Sequence, residues 1–180
     1  YIKHASTALI NAHNNGITLK INILFYIGEN LNTLRETYNF LASHSEYIRA
    51  ISAYPMLIYP GMGSLIEFEK ELEKHGGSII KKSPWNERKI FPVNLSSELS
   101  YSQAEELALL FGKAFQTMEN YFYQKQFGYF PPNYNYSDFK SHVNSIGIAH
   151  FPFSATQNET TYYKSLLENK LQISNKTKHM

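Results

Sequence analysis

Apolar residues along the first part of the chain follow two different periods, which predicts helices alternating with strands. Between residues 5 and 12 the apolar positions recur three and four apart, as on one face of a helix, and Gly16 suits the left-handed residue that ends it. The next run, from Ile17 to Ile27, is apolar with almost no polar alternation. Such a strand is typical of a parallel sheet with helices on both faces.

The same two patterns then repeat. Apolar spacing predicts a helix over residues 31–41, a second strand within residues 48–61 and a third helix over residues 65–77. Pro55 weakens the prediction of that strand, because proline cannot donate to the ladder. Strands that alternate with helices at this spacing predict βα units and parallel pairing. Two strands cannot form a sheet that is buried on both faces, so we expect further strands from a missing N-terminal part. The start at Tyr1, which reads as mid-helix, fits a truncated product or an excised fragment.

The pattern changes near residue 78. Residues 78–101 contain two prolines and no clear period, which predicts an ordered connector. We then expect the longest helix of the chain to run from about Ser102 to Gly128. The elements expected after it are a turn-rich loop, a short helix near residues 138–144, a strand within residues 146–153 and a last helix over residues 160–171.

This order divides the chain into three parts. Residues 1–77 form an α/β unit, residues 78–101 a connector, and residues 102–180 a mainly helical extension. Capping-box sequences, in which Ser or Thr is followed three residues later by Glu, mark three of the expected helix starts. They lie at Thr33–Glu36, Ser64–Glu67 and Ser102–Glu105.

Composition narrows the classes of function. The chain is 43% hydrophobic and 18% charged, which is typical of a globular protein, and its net charge of +2 includes no basic patch that would indicate nucleic acid or an anionic membrane. The sequence contains no cysteine, and its seven histidines do not cluster, so we assign no metal ligand. No apolar run approaches the ~20 residues of a membrane span. We therefore expect a cytoplasmic protein.

The ends of the two strands are the candidate ligand sites, because ligands of α/β proteins bind at the carboxyl ends of parallel strands. Gly28 and Glu29 follow the first strand, where glycine allows close approach of the backbone and the acid can accept from an amine or a hydroxyl. The alternative is a plain strand-to-helix turn, which the residues alone favour. Tyr59–Gly61 similarly forms either a rigid turn or one side of a ligand site. Asn22 is either a ligand contact in a cleft or a buried, hydrogen-bonded residue.

Two stretches resemble the C-terminal half of the barrel of radical S-adenosylmethionine enzymes. LINAHNNGITLKINILFYIGENLNTLRETYNFL, residues 9–41, is similar to the family's run of helix, strand, Gly-Glu turn and helix. ISAYPMLIYPGMGSLIEF, residues 51–68, is similar to the next strand, which in the family ends in Tyr-Pro-Gly-Thr-x-Leu. Here Met62 stands at the position of that threonine, and no Gly-x-Pro-Gly-Glu-Thr form follows the first strand.

The resemblance implies a fold, a cofactor and a site. The fold would be the C-terminal part of a partial (β/α)6 TIM-like barrel followed by a helical extension. In the family a CxxxCxxC loop holds a [4Fe–4S] cluster that cleaves S-adenosylmethionine to a 5′-deoxyadenosyl radical, and this chain lacks that loop. The residues that the resemblance places beside the adenosyl group are Asn22, Tyr26, Ile27, Gly28 and Glu29 on the first strand and Leu57, Tyr59 and Pro60 on the second.

Two functions remain at this point. In the first, the chain is the C-terminal part of a radical S-adenosylmethionine enzyme that acts on a small-molecule or peptide substrate. Some similar members also bind cobalamin and catalyse methylation, and this chain would be inert without its N-terminal part. In the second, the chain is an autonomous α/β module that binds a ligand or partner and catalyses nothing. The sequence identifies no catalytic residue for either.

Overall fold

A computed structural model of the chain describes residues 2–59, 65–81, 87 and 89–172. Within these ranges the fold is mixed α/β. The helices are α1 (Ile2–Asn14), α2 (Leu31–Ser43), α3 (Leu65–Lys74), α4 (Tyr101–Phe115), α5 (Met118–Tyr129), α6 (Tyr136–Ile146) and α7 (Gln157–Lys170). The strands are β1 (Leu19–Phe25), β2 (Ile48–Pro55), β3 (Leu57–Ile58), β4 (Ser78–Ile79) and β5 (Phe91–Asn94), and single 3-10 turns lie at Ser45–Tyr47 and Ile148–His150.

The two long strands, β1 and β2, are adjacent and parallel, as the alternation of helix and strand predicts. Asn22 lies opposite Ser52 and Leu24 opposite Tyr54, so both strands end at the same edge of the sheet. The connection between them is helix α2, as in a βα unit. This part of the expected architecture is confirmed.

Strand β1 has an open edge. Within the described residues its partner is β2 alone, and no described strand lies on its other side. Asn22 and Leu24 are exposed, whereas the four residues from Ala50 to Ala53 of β2 are all buried. Strand β1 is therefore an edge strand of the described sheet, and its free edge has no described strand partner.

The hydrophobic core lies between this sheet and helices α2, α4 and α7. The ring centroid of Phe25, on β1, lies 5.5 Å from that of Phe111, on α4, and Tyr38 on α2 contacts the same ring at 6.4 Å. Helix α4 packs against β2 along small residues, among them Ala104 and Ala108, which are buried. Burial of this apolar surface is the main force that holds the helices on the sheet.

Helices α2 and α4 begin earlier than their predicted capping boxes. Asn30 caps α2: its side chain accepts from the Thr33 amide, and the Thr33 hydroxyl accepts from the Asn30 amide. Ser100 caps α4 in the same way with Gln103. The boxes predicted from Thr33 and from Ser102 are therefore wrong, because Asn30 and Ser100 already cap the helices one turn or less upstream. The box predicted at Ser64–Glu67 begins outside the described residues.

The second predicted strand is in fact two strands. Pro55 ends β2 because it has no amide hydrogen to continue the ladder, and the Met56 amide donates to the Phe25 carbonyl at 2.9 Å. Leu57–Ile58 then turns away and pairs antiparallel with β5, which also pairs with β4. The prediction of one continuous strand is wrong, and residues 78–101 contain strands that were too short to show a period.

The predicted long helix is also divided. Gln116 is extended, with φ −142° and ψ 146°, and the Thr117 side chain caps a new helix by accepting from the Asn120 amide. The apolar pattern does not reveal this break, because Met118 and Phe122 continue the three-and-four spacing of the preceding helix. They face a separate apolar cluster, built with α6.

The strand predicted within residues 146–153 is absent. Residues 148–150 form a 3-10 turn, and the chain then makes a single parallel bridge between Ser154 and Thr117. The short helix and the last helix are present: the short helix extends beyond its predicted bounds at both ends, and the last helix begins at Gln157, before the predicted residue 160, and ends at Lys170. The backbone after Gly147 is pinned to α4 by side chains, as described below, and not by a strand ladder.

Candidate functional site

A cavity of about 1040 Å³ opens at the carboxyl ends of β1 and β2. Its walls are the ends of the two strands, the first turns of α4 and the segment 149–152. Open parallel sheets bind ligands at this edge, because strand ends and following loops converge there. The cavity is therefore the candidate functional site.

Three of the eight residues predicted from the sequence line this cavity. Tyr26 follows β1, Leu57 begins β3 and Tyr59 follows β3. The tyrosine side chains are both 47% exposed. The bend at Met56 therefore still leaves Leu57 and Tyr59 beside the end of β1, although they do not continue β2.

Gly28 does not face the cavity but is packed against the end of α3. Its φ of +89° favours glycine, and a Cβ added there would lie 2.9 Å from the His75 ring. The Gly28 amide donates to the Leu95 carbonyl at 2.9 Å. The close approach that glycine was expected to allow to a ligand is made here by the chain itself.

Glu29 also has partners within the chain. Its carboxylate accepts from the Thr33 hydroxyl in the first turn of α2, and its carbonyl accepts from the Ser96 hydroxyl at 2.8 Å. A carboxylate beside a helix N-terminus is favoured by the helix dipole. In the described chain Glu29 therefore belongs to the turn that joins β1 to α2.

Asn22 and Ile27 are not among the described lining residues of the cavity. Asn22 is exposed on the face of β1, so the alternative of a buried, hydrogen-bonded Asn22 is wrong. Ile27 is partly buried against the main core. Pro60 lies outside the described residues.

Sequence reasoning missed the groups that α4 contributes. The Tyr101 hydroxyl donates to Glu105 at 3.2 Å, and burial together with the charge of Glu105 raises the pKa of Tyr101 to about 12. Glu106 pairs with Lys170 of α7 at 2.7 Å. The i, i+4 spacing of Tyr101 and Glu105 was visible in the sequence, but only the tertiary packing of α4 on β2 brings them to the strand ends.

The far wall of the cavity, residues 149–152, is held by a buried lysine. Lys113 on α4 is 3% exposed, and its Nζ donates to the Ile148 carbonyl at 3.0 Å and to the Phe153 carbonyl at 3.3 Å. Burial lowers the pKa of Lys113, an effect that the charge of Glu159 opposes. The Lys113 contacts therefore bracket the cavity wall.

Gln116 and Gly112, close to Lys113 in sequence, contact the same wall at Pro152. The Gln116 side-chain amide donates to the Pro152 carbonyl. Gly112 brings α4 so close that an added Cβ would lie 2.7 Å from that oxygen. The wall is thus fixed by contacts on both sides of Lys113.

The described residues offer no group of three or more His, Cys, Asp or Glu side chains that could hold a metal ion. Among them there is also no helix with the length and hydrophobicity that crossing a bilayer requires.

The chain has no detected relatives in the comparisons: no protein-family model, no curated protein and no solved structure matches it.

Proposed function

We propose that this chain is the C-terminal part of a radical S-adenosylmethionine enzyme, and that it supplies the last two barrel strands and one wall of the cleft. The observation that carries the proposal is the parallel pair β1 and β2, whose carboxyl ends open into one cavity. The bare edge of β1 supports it further, because a partial (β/α)6 barrel would add its preceding strand there.

The adenosyl group would lie against Tyr26, Leu57 and Tyr59. These side chains offer flat or apolar surface at the strand ends, and the cavity of about 1040 Å³ has room for a cofactor and a substrate. Gly28 and Glu29 would shape the neighbouring turn through their contacts with His75 and Thr33. A small molecule or a peptide would occupy the rest of the cleft.

The iron–sulfur cluster does not fit this chain, because the sequence has no cysteine. Its ligands would come from the missing N-terminal part. Cobalamin, which would make the enzyme a methylase, stays a prediction from the resemblance, and we assign it no contact in this chain.

The test is anaerobic purification of the full-length gene product followed by reconstitution with iron and sulfide. We expect an absorption band that reduction bleaches, and cleavage of S-adenosylmethionine to 5′-deoxyadenosine. Tyr26→Ala should weaken S-adenosylmethionine binding about tenfold, because a stacking surface is lost. Tyr129→Ala, a tyrosine that is 74% exposed on α5, is the matched control and should bind normally. A full-length product without a CxxxCxxC motif and without a cluster would contradict the proposal.

A second candidate is the autonomous α/β binding module. The turn after β1 favours this candidate, because His75 and the Leu95 carbonyl of the same chain already occupy the positions beside Gly28 where the first candidate expected a ligand. This candidate predicts that residues 1–180 expressed alone unfold in one cooperative thermal transition. The first candidate predicts a poorly soluble chain, because the edge of β1 is bare.

A further inference from the structure

The described lining of the cavity carries two carboxylates, and its basic side chain is His150. Among its described lining residues there is no lysine or arginine, whereas Glu105 and Glu106 both lie on its α4 wall. Lys170 neutralises Glu106 at 2.7 Å. Glu105 accepts from the neutral Tyr101 hydroxyl, and no basic side chain of the described part of the chain forms an ion pair with it.

Three exposed tyrosine side chains also line the cavity. Tyr54 is 58% exposed, and Tyr26 and Tyr59 are each 47% exposed, although all three lie beside one cavity. Exposed apolar rings grouped in this way mark a binding surface. The faces of such rings attract cations, because the ring quadrupole is negative above and below its plane.

We propose that the molecule bound in this cavity is an organic cation, with its positive charge at Glu105 and its apolar body between the tyrosine rings. An anion would meet the Glu105 carboxylate and, in the described lining, neither lysine nor arginine, with His150 as the single basic side chain, so this lining disfavours an anion. A neutral ligand would gain the apolar contacts but leave Glu105 without an ionic partner. The cavity of about 1040 Å³ accommodates a body the size of a drug molecule or a short peptide.

The inference rests on the proposed function in one respect, since it names the class of molecule that enters the proposed cleft. Two sources share the chemistry: the cofactor, through its sulfonium and ammonium groups, and a separate substrate that carries an amine or guanidinium group. The experiment below separates them, and it requires neither a cluster nor turnover. A failure of cation binding is therefore distinguishable from a failure of S-adenosylmethionine cleavage.

The experiment is calorimetric titration of the full-length protein at pH 8 with phenethylamine, 2-phenylethanol, 3-phenylpropionate and S-adenosylmethionine. We expect phenethylamine to bind about tenfold more tightly than 2-phenylethanol, and 3-phenylpropionate to bind least tightly. Glu105→Gln keeps an acceptor for Tyr101 and removes the charge, so it should abolish the preference for the amine. Glu73→Gln, at an exposed position of α3 outside the cavity, removes the same charge and should leave the preference intact.

Each arm has a defined meaning. If Glu105→Gln weakens phenethylamine but not S-adenosylmethionine, the cation is a substrate, and if it weakens both, the cofactor itself uses the carboxylate. Tyr54→Ala, at an exposed position, should weaken phenethylamine about threefold in either case. Equal binding of amine and alcohol to the unmodified protein, tighter binding of 3-phenylpropionate, or equal effects of the Glu105 and Glu73 variants would overturn the inference.

Discussion

Replacing Lys113 by methionine tests how the cavity wall is held. The substitution keeps most of the volume of the side chain and removes the ammonium group that donates to the carbonyls of Ile148 and Phe153. The Ile148 oxygen keeps a donor, since the Phe151 amide also reaches it at 3.2 Å. The Phe153 oxygen is left without a donor in the described part of the chain.

The magnitude follows from two opposing effects. An unsatisfied buried carbonyl costs about 1–3 kcal/mol, and removing a buried charge returns part of that loss because desolvation no longer opposes folding. We expect Lys113→Met to lower the free energy of unfolding by about 1–2 kcal/mol, or the Tm by about 2–8 °C. Lys3→Met, at an exposed position of α1, should change it by less than about 0.5 kcal/mol.

The pH dependence separates loss of the charge from loss of packing. Burial lowers the pKa of Lys113 in the folded protein below its ordinary value, so at alkaline pH the unfolded chain binds more protons at this residue. The contribution of Lys113 to stability should therefore increase as the pH rises towards 10.5, the ordinary lysine value. Urea titrations followed by circular dichroism at pH 7 and pH 10 measure this contribution as the difference in the free energy of unfolding between the unmodified protein and Lys113→Met. A Lys113→Met protein as stable as the unmodified chain, with the same pH dependence, would refute this reasoning.

Three further predictions concern stability, each measured by chemical denaturation. Gly28→Ala should lower the free energy of unfolding by about 1–3 kcal/mol, which is more than Gly16→Ala should. Both glycines have positive φ, but only Gly28 has a side chain within 4 Å of the added Cβ, so equal losses would contradict this contact. Gly112→Ala should cost about 1–3 kcal/mol through overpacking, whereas Gly128→Ala, with open space around it, should be neutral or stabilising by up to about 1 kcal/mol; the reverse order would contradict the described packing. Burial and the hydrogen bond with a glutamate raise the pKa of Tyr38 above its ordinary 10.0, so the unfolded chain ionises first and the unmodified protein should lose stability as the pH rises above 10. Tyr38→Phe should lose less stability over the same pH range, and an unchanged dependence of the free energy of unfolding on pH would show that this hydroxyl is not responsible.

The regular part of the fold could be predicted from the sequence because it depends on local patterns. The apolar run of β1 and the helical spacing of α2 indicate one βα unit, and the next apolar run indicates a parallel partner. Such patterns reflect burial, which a period in the sequence records directly.

The errors arose where single residues or short elements decide the path. Pro55 and the extended Gln116 end elements within runs whose apolar period continues. The strands β3, β4 and β5 have two to four residues each, which is too few to show a period. Asn30 caps α2 because its backbone is extended there, which composition alone does not reveal.

Part of the site could be predicted from the sequence, and part depends on contacts between distant segments. Ligands bind at the carboxyl ends of parallel strands, and the apolar pattern locates those ends, so Tyr26, Leu57 and Tyr59 could be named from the sequence. Tyr101 and Glu105 reach the same cavity only because α4 packs against β2, and that contact joins residues far apart in the chain. Gly28 correctly indicated a position where another group approaches the backbone closely, but that group is a histidine of the same chain and not a ligand.

The most direct test of the central proposal is an experimental structure of the full-length protein with S-adenosylmethionine. The proposal predicts that a strand from the N-terminal part pairs in parallel with the free edge of β1, and that the adenine lies beside Tyr26 and Leu57. A structure in which that edge faces solvent or a helix, with the cofactor bound elsewhere or not at all, would contradict it.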